Sequence, residues 1–508
     1  MKRAYISVFD KTGIVEFAAK LVKAGYEIVS TGGTFDLLNK NGIKAVESAD
    51  ITGFRELIGG KVKSLHPKIF AGILANLKER EELQKADCKP FDLVCVNLYP
   101  FEDYKGKEVE IETLVKNIDI GGVALLRAGA KNYENVVVIS DVEDYDIDIE
   151  NIDLKTREKL AVKAFNRTSK YDFEIMTELQ NRFEAENDDI ESESPLQENE
   201  VFYLSKIKDL RYGENPHQAA ALYDYDKTVD YEFLNGKEFS YNNILDATAA
   251  LNIAAEFFDV NTCVIIKHTN PCGVALGKTL LEAWQKALDC DPLSAFGGIV
   301  AFTRPVDLEI AKNLTAMFLE VVIAPDFTDE AVEELKKKKN LRVVKLLTPL
   351  DKYLKFTQKE VKLTPFGALL QEKDSKELNP ETFKTVTKEK PTQEMIEDMV
   401  FAFKVCKHLK SNAIVVAKDL RTLGLCGGQT SRVGSVEIAL RRVCDSAKGS
   451  VIASDGFFPA VDNIEVAAQE RVAGVIQPGG SIKDPDVIKT ADKLGLVMVT
   501  TGIRHFRH

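Results

Sequence analysis

Residues 184–200 read Glu-Ala-Glu-Asn-Asp-Asp-Ile-Glu-Ser-Glu-Ser-Pro-Leu-Gln-Glu-Asn-Glu, and this tract constrains the fold more than any other feature. It has almost nothing apolar to bury and a run of acids that repel one another, the composition of a linker. One continuous core cannot pass through it. The 508 residues therefore divide into an N-terminal part over 1–190, a linker over 191–200 and a C-terminal part over 201–508. At roughly 100–200 residues per compact unit, the C-terminal part is expected to hold two units. A polar, weakly patterned region at about 350–390 is the expected division between them.

The N-terminal part alternates short apolar runs with helical patterns. Tyr5–Phe9, Tyr26–Ser30, Leu93–Asn97 and Val136–Ser140 read as buried strands. Helical stretches carry Phe17, Leu21 and Val22, then Val123–Ala130, and a long one spans Leu154–Arg182. This βαβα rhythm predicts an α/β fold with a parallel sheet covered by helices. The C-terminal part mixes strands (Cys263–Lys267, Gly298–Phe302, Val321–Ala324, Ala413–Lys418, Val451–Ser454) with helices (Leu280–Leu288, Thr392–Leu409, Val436–Ala447). No strict sequence repeat is visible in it. The basic run Lys336–Lys339 reads as a solvated helix end.

A net charge of -12 argues against non-specific binding to nucleic acid or to an anionic membrane. No stretch of about 18 apolar residues is present, so no membrane span is expected. The N-terminal ten residues lack the apolar run of a signal peptide. The eight cysteines form no Cys-x-x-Cys pair and read as reduced, mostly buried thiols, which suits the cytoplasm.

Polar motifs collect after the strands. Asp10-Lys11-Thr12-Gly13 and Thr31-Gly32-Gly33-Thr34 are turns that can offer backbone N–H groups to a phosphate at a helix start, though ordinary tight turns also explain them. Neither matches a Walker A loop or a Gly-x-Gly-x-x-Gly dinucleotide turn. Lys61-Val62-Lys63-Ser64-Leu65-His66-Pro67-Lys68 is too polar for a core, and a solvated loop is the alternative. Asn97 and Tyr99 end a strongly apolar strand, the ligand position of an open α/β sheet. Asp119 precedes Ile120-Gly121-Gly122 and a helix carrying Arg127 and Lys131, and could simply cap that helix. Together these motifs place Lys63, Tyr99, Asp119 and Lys131 near one crevice.

In the C-terminal part, Arg211-Tyr212-Gly213-Glu214-Asn215-Pro216-His217-Gln218 is dense in polar groups. Lys267-His268-Thr269-Asn270-Pro271-Cys272-Gly273 sets a cation beside an imidazole at a strand end, and the chain has only six histidines. His suits acid–base work near neutral pH, and an adjacent cation can steady a developing oxyanion. Arg432 and Arg504 are candidate partners for a phosphate or carboxylate.

In their order, Lys-Ser-Leu-His-Pro (63–67), Asn-Leu-Tyr-Pro-Phe (97–101), Asp-Ile-Gly-Gly (119–122), Arg-Tyr-Gly-Glu-Asn-Pro-His-Gln (211–218), Lys-His-Thr-Asn-Pro-Cys-Gly (267–273), Ser-Asp-Gly-Phe-Phe-Pro (454–459) and the closing Arg-His-Phe-Arg-His resemble one family. It is the bifunctional purine-biosynthesis family that joins aminoimidazole-carboxamide ribonucleotide (AICAR) transformylase to inosine monophosphate (IMP) cyclohydrolase. The resemblance runs from Ser7 to the last residue.

It implies a methylglyoxal-synthase-like N-terminal domain, with a Rossmann-like parallel sheet, for the cyclohydrolase step and two cytidine-deaminase-like α/β units for the transformylase step. It also implies a homodimer with the transformylase sites at the subunit interface. By resemblance, the 5-amino group of AICAR attacks the formyl carbon of 10-formyltetrahydrofolate, the co-substrate, with His268 as base and Lys267 as acid or oxyanion partner. Asn412 bonds the reacting centre. Arg211, Tyr212, His268, Gly297, Glu320, Asn412, Arg432, Phe457 and Arg504 match positions that hold AICAR, and Val433, Asp462, Gly479 and Gly480 match the folate side.

For cyclisation of formyl-AICAR to IMP, Lys63, Tyr99, Asp119 and Lys131 match the catalytic group, with the proton donor open among Lys63, Tyr99 and Lys131. Asp10, Lys11, Thr31, Gly32, Gly33, Thr34, Lys61, Val62, Lys63, Ser64, Val96, Asn97, Asp119 and Ile120 match the nucleotide-binding positions. No catalytic metal is expected, because Pro271-Cys272 lacks the second Cys and the His-x-Glu of zinc deaminases. The sequence assigns no monovalent cation. The alternatives are a zinc-dependent nucleobase deaminase and a non-catalytic nucleotide-binding regulator of the same fold.

Overall fold

The computed structural model describes all residues except Met1, Glu56, Gly60, Lys61, Lys105, Gly106, 187–195, Gln197, Asp226, Lys227 and 354–358. The chain forms two compact units, Met1–Tyr203 and Leu204–His508. The division falls just beyond the acidic tract, most of which lies outside the described residues.

Five parallel strands build the first unit: β1 (Lys2–Val8), β2 (Tyr26–Ser30), β3 (Ala45–Glu47), β4 (Leu93–Asn97) and β5 (Val137–Ile139), in the order β3-β2-β1-β4-β5. Leu93, Val94, Cys95 and Val96 are all buried, as a parallel strand covered on both faces requires. The helix Ile14–Lys23 turns Ile14, Phe17, Ala18 and Leu21 inward, and the expected long helix runs Leu154–Glu186. Because the strand order reverses between β1 and β4, the loops after these two strands splay apart and leave a crevice, the usual ligand site of an open α/β sheet.

The second unit holds β6 (Ser205–Leu210), β7 (Ala220–Asp224), β8 (Tyr231–Asn235), β9 (Thr262–Lys267), β10 (Asn270–Leu276), β11 (Ile299–Phe302), β12 (Val321–Ala324), β13 (Arg342–Leu346), β14 (Lys359–Thr364), β15 (Gly367–Glu372), β16 (Lys384–Thr385), β17 (Ile414–Lys418), β18 (Arg421–Cys426), β19 (Val451–Ser454), β20 (Gly474–Gln477) and β21 (Val497–Thr500). Twelve of them form one sheet in the order β16-β21-β20-β19-β17-β18-β10-β9-β11-β12-β13-β8.

That order repeats itself. Each half has an outer strand (β8 or β16), an antiparallel hairpin (β9–β10 or β17–β18) and three parallel strands, and the halves join through the antiparallel pair β10–β18. The two expected units therefore share one continuous sheet. One face of it carries a single core under the helices Tyr241–Ala255 and Gln393–Cys406, and the other face carries a separate core for each half. Within the region read as unorganised, β14 and β15 form an exposed hairpin and β16 already pairs with β21, so the second half begins by residue 384.

An ion cluster links the two covering helices. Glu256 accepts hydrogen bonds from Lys407 Nζ at 2.9 Å and pairs with His408 Nε2 at 3.1 Å, while Lys404 Nζ donates to the Glu256 carbonyl at 3.0 Å. Burial opposes ionisation of Glu256, but His408 and Lys407 outweigh it and hold the carboxyl at about 2. A carboxyl depressed from 4.5 stabilises the fold above about pH 4.5, and that contribution is lost as pH falls toward 2. At ~1.36 kcal/mol per pH unit the loss is on the order of 3 kcal/mol. Acid unfolding of Glu256→Gln, followed by circular dichroism, is expected to lack this component.

Candidate active sites

In the first unit the crevice opens into a cavity of ≈ 1190 Å³ at the carboxyl ends of β1, β2 and β4. Lys11, Thr31, Gly33, Thr34, Lys63, Ser64, Asn97, Tyr99, Asp119 and Ile120 line it. The helices Gly32–Lys40 and Gly121–Lys131 start at its wall, where free N–H groups and the helix dipole favour an anion. Lys11 Nζ donates to the Val8 carbonyl and, at 2.9 Å, to Thr34 Oγ1. Burial and the charge of Lys63 push Lys11 below the ordinary lysine range. An anion placed between these cations would relieve their repulsion.

Asp119 is fixed from several sides. Its Oδ1 accepts from Gly122 N at 2.7 Å, and its backbone N–H donates to the Tyr171 hydroxyl at 2.7 Å. Burial raises its pKa against the opposing pull of the Gly122 and Tyr99 backbone N–H groups and Lys63. Tyr99 is also raised, by burial and then by Asp119.

The glycines here are needed for space. A Cβ on Gly122 would stand 2.5 Å from Asp119 Oδ2, one on Gly121 2.6 Å from Ser64 Oγ, and one on Gly32, whose φ is 53, 3.1 Å from Lys63 Nζ. On the cyclohydrolase role that the sequence resemblance implies for this crevice, Gly122→Ala is expected to displace the Asp119 carboxylate and lower cyclisation about tenfold or more, read as IMP formed from supplied formyl-AICAR.

Some expected members stand apart from the cavity. Lys131 is exposed at the far end of the helix that Gly121 begins, about 15 Å along its axis at 1.5 Å per residue, and does not line the cavity. Asp10 is exposed and caps its own turn through Thr12 N at 2.9 Å. Val96 is buried in β4, and Val62 pairs with Leu57 in a β-bridge. Lys61 lies outside the described residues. Asn97 faces the cavity but also braces it, with Oδ1 accepting from Phe9 N at 2.5 Å and Asp10 N at 3.0 Å. His66 caps the helix Pro67–Leu74. Sequence reasoning did not find Tyr171 or the lining segment 111–118, because neither carries a local signal.

In the second unit the register collects the candidates on one edge of the sheet. Lys267 ends β9, Gly297 precedes β11 and Glu320 precedes β12; Asn412 precedes β17, Arg432 follows β18, Phe457 follows β19, Gly479 and Gly480 follow β20, and Arg504 follows β21. The loop 211–218 joins β6 to β7 and closes through Gly213 N to the Gln218 carbonyl at 2.8 Å. Asn242 Nδ2 donates to the Glu214 carbonyl at 3.3 Å, tying that loop to the start of the helix Tyr241–Ala255.

Lys267 Nζ donates to the Phe296 carbonyl at 2.7 Å, and the exposed His268 forms the β9–β10 turn with Thr269, at φ 52 and 62. Arg432 is buried and binds three groups: Ser454 Oγ at 2.7 Å, Asn412 Oδ1 at 2.6 Å and the Asp455 carboxylate. It belongs to the helix Arg432–Arg441, capped by Ser431, which starts four residues before the expected Val436. Arg504 stacks over Phe506 at 4.5 Å. On the expected folate side, Val433 is half-buried, Asp462 caps Asn463, and Gly479 and Gly480 take φ 74 and 96, with Gly480 N bonded to Asp484 at 2.7 Å. Glu320 is paired with Arg342 at 3.0 Å.

Across the described residues, no group of three or more His, Cys, Asp and Glu side chains could hold a metal ion, and no helix is long and apolar enough to cross a membrane. Cys88, Cys95, Cys263, Cys272, Cys290, Cys406 and Cys426 are free, and all but Cys290 are buried.

Two polar sites of different chemistry, each on its own folded unit, define a bifunctional enzyme. Comparison with known proteins specifies which. Residues 13–124 match the MGS-like domain family and residues 129–442 match the AICARFT/IMPCHase bienzyme family. The chain is 46% identical to "Bifunctional purine biosynthesis protein PurH" of Caldicellulosiruptor bescii, 47% to that of Thermoanaerobacter sp. and 46% to that of Aquifex aeolicus, each over 100% of both chains. A solved structure described as "Crystal structure of ForH" is 33% identical, covers 34% of this chain and 97% of that one, and has a TM-score of 0.31. The chain belongs to the AICARFT/IMPCHase bienzyme family: it is an AICAR formyltransferase and IMP cyclohydrolase of purine biosynthesis, and its transfer step takes a folate co-substrate.

Proposed function

We propose that the two reactions are divided between the units, with formyl transfer on the sheet edge of 204–508 and ring closure in the cavity of the first unit. The observation that carries the division is the separate placement of the Lys267–His268 pair and the Lys63–Tyr99–Asp119 group. In transfer from 10-formyltetrahydrofolate, the 5-amino group of AICAR is a weak nucleophile, since the ring and carboxamide withdraw its lone pair. His268 takes its proton as the C–N bond forms. Lys267 steadies the tetrahedral oxyanion and Asn412 bonds the reacting centre. Arg211, Tyr212, Gly297, Glu320, Arg432, Phe457 and Arg504 hold AICAR, and Val433, Asp462, Gly479 and Gly480 face the folate.

In ring closure the carboxamide nitrogen attacks the formyl carbon of the same molecule and water leaves. The cavity holds the bent, near-attack shape. Lys11, the helix starts at Gly32 and Gly121, and Ser64 take the phosphate and ribose, while Lys63, Tyr99 and Asp119 manage the protons. The distance of Lys131 from the cavity favours Lys63 or Tyr99 over Lys131 as proton donor.

The transferase reading includes a homodimer. Lys267 and Asn412 lie on one edge but three strands apart, about 14 Å at ~4.8 Å per strand. The same edge exposes Leu293, Phe296, Phe318, Phe457, Ile482 and Phe506. An apolar border of this kind suits a second copy that brings its Asn412 and Arg432 to this copy's His268.

Incubating the purified protein with AICAR and 10-formyltetrahydrofolate, and following tetrahydrofolate and IMP separately, tests the whole scheme. Both are expected to form; no release of tetrahydrofolate would overturn it.

A further inference from the structure

We infer that Asp246 is a positioning residue for formyl transfer, a carboxylate clamp that holds the β9–β10 turn so that His268 is presented from a left-handed backbone. The inference rests on the reading of His268 as the base. Asp246 Oδ1 accepts from Thr269 N at 2.6 Å and Oδ2 from His268 N at 3.3 Å. Both turn residues have positive φ, 52 and 62, and neither is glycine. A two-residue hairpin turn of this kind ordinarily uses Asn-Gly, because other side chains resist the left-handed region. Here the turn has no glycine, and one carboxylate ties down both of its N–H groups.

The other half of the sheet contains the same device. Asp398 Oδ1 accepts from Leu420 N at 2.7 Å and Oδ2 from Asp419 N at 3.0 Å, and these two residues have φ 53 and 55. The flanking pairs Lys267↔Asn270 and Lys418↔Arg421 share the register, and each clamping Asp is the sixth residue of its helix, Tyr241–Ala255 or Gln393–Cys406. The clamp thus belongs to the repeated fold, and only the first copy places an imidazole on it. The second tip, Asp419-Leu420, emerges at the opposite edge of the sheet, away from the transfer candidates. In the first copy the clamp fixes the backbone that carries the base, and Asn270 Nδ2 adds a bond to the His268 carbonyl at 2.8 Å.

The test compares Asp246→Ala, Asp246→Ala/Thr269→Gly and Asp398→Ala in the full chain, with kcat and KM for AICAR measured in formyl transfer and cyclisation measured alongside. Asp246→Ala is expected to lower kcat for transfer about tenfold or more, with KM changed less than about threefold and cyclisation unchanged. Glycine at 269 adopts the turn without a clamp, so the double variant is expected to regain about threefold or more in kcat. Asp398→Ala is expected to leave transfer within about twofold. Should Asp246→Ala fail to fold, Asp246→Asn with and without Thr269→Gly makes the same comparison. A kcat for Asp246→Ala within about twofold of wild type, no gain from glycine, or an equal loss in Asp398→Ala would each overturn the inference. His268→Ala separates the two levels. If it retains transfer, the base assignment itself fails; if it loses transfer while Asp246→Ala keeps it, only the clamp fails.

Discussion

His268→Ala is expected to lower formyl transfer by roughly 10²–10⁴, the range for loss of a single positioned base, while cyclisation of supplied formyl-AICAR continues. The size of the effect follows from the nucleophile. An amine whose lone pair is drawn into an imidazole carboxamide cannot carry a full positive charge in the transition state, so its proton must leave as the bond forms. On the transfer edge His268 is the side chain suited to that task near neutral pH. Lys267 is held beside it by the Phe296 carbonyl at 2.7 Å. The persistence of cyclisation is expected from the two-unit structure, since His268 and the cavity around Lys63 and Asp119 belong to different compact units. Stopped assays with AICAR and with formyl-AICAR read the two steps independently. Unchanged release of tetrahydrofolate by the variant would show the base assignment to be wrong.

The fold is legible in the sequence where one physical signal dominates. Tyr26–Ser30, Leu93–Asn97, Val321–Ala324 and Val451–Ser454 appear with the expected bounds, because short apolar runs bounded by turn residues have few other uses. β10 was missed. Asn-Pro-Cys-Gly reads as a loop, and a hairpin turn made of His268 and Thr269 carries none of the usual turn chemistry. Missing β10 and β18 also hid the twofold repetition, since those two strands join the halves into one sheet. The motifs after β1, β2 and β4 line one cavity because chain order and strand ends determine where they lie. Lys131 lies away from the cavity for a geometric reason: a motif one helix long does not keep its two ends at one place. Tyr171, on a helix far along the chain, shows how a brace for Asp119 can escape any local pattern.

Lys63→Met and Asp119→Asn are expected to reverse the His268 result, with formyl transfer intact and cyclisation lowered by roughly 10²-fold or more. Ring closure needs the carboxamide N–H deprotonated and the formyl oxygen neutralised as it becomes a leaving hydroxyl. Asp119 and Lys63 are oppositely charged groups that both line the cavity. Burial raises the Asp119 carboxyl while Lys63 pulls it down. Its folded pKa lies above the ordinary 3.8, so the acid limb of the cyclisation rate is expected at higher pH than an exposed aspartate would set. Removing the Lys63 charge removes one of the groups that lower it, so the residual activity of Lys63→Met is expected to show that limb displaced further upward. A rate–pH profile on formyl-AICAR reads this directly. A profile for Lys63→Met that is reduced in height but unmoved on the pH axis would mean that Lys63 and Asp119 act without facing each other, and would remove Asp119 from the role of base.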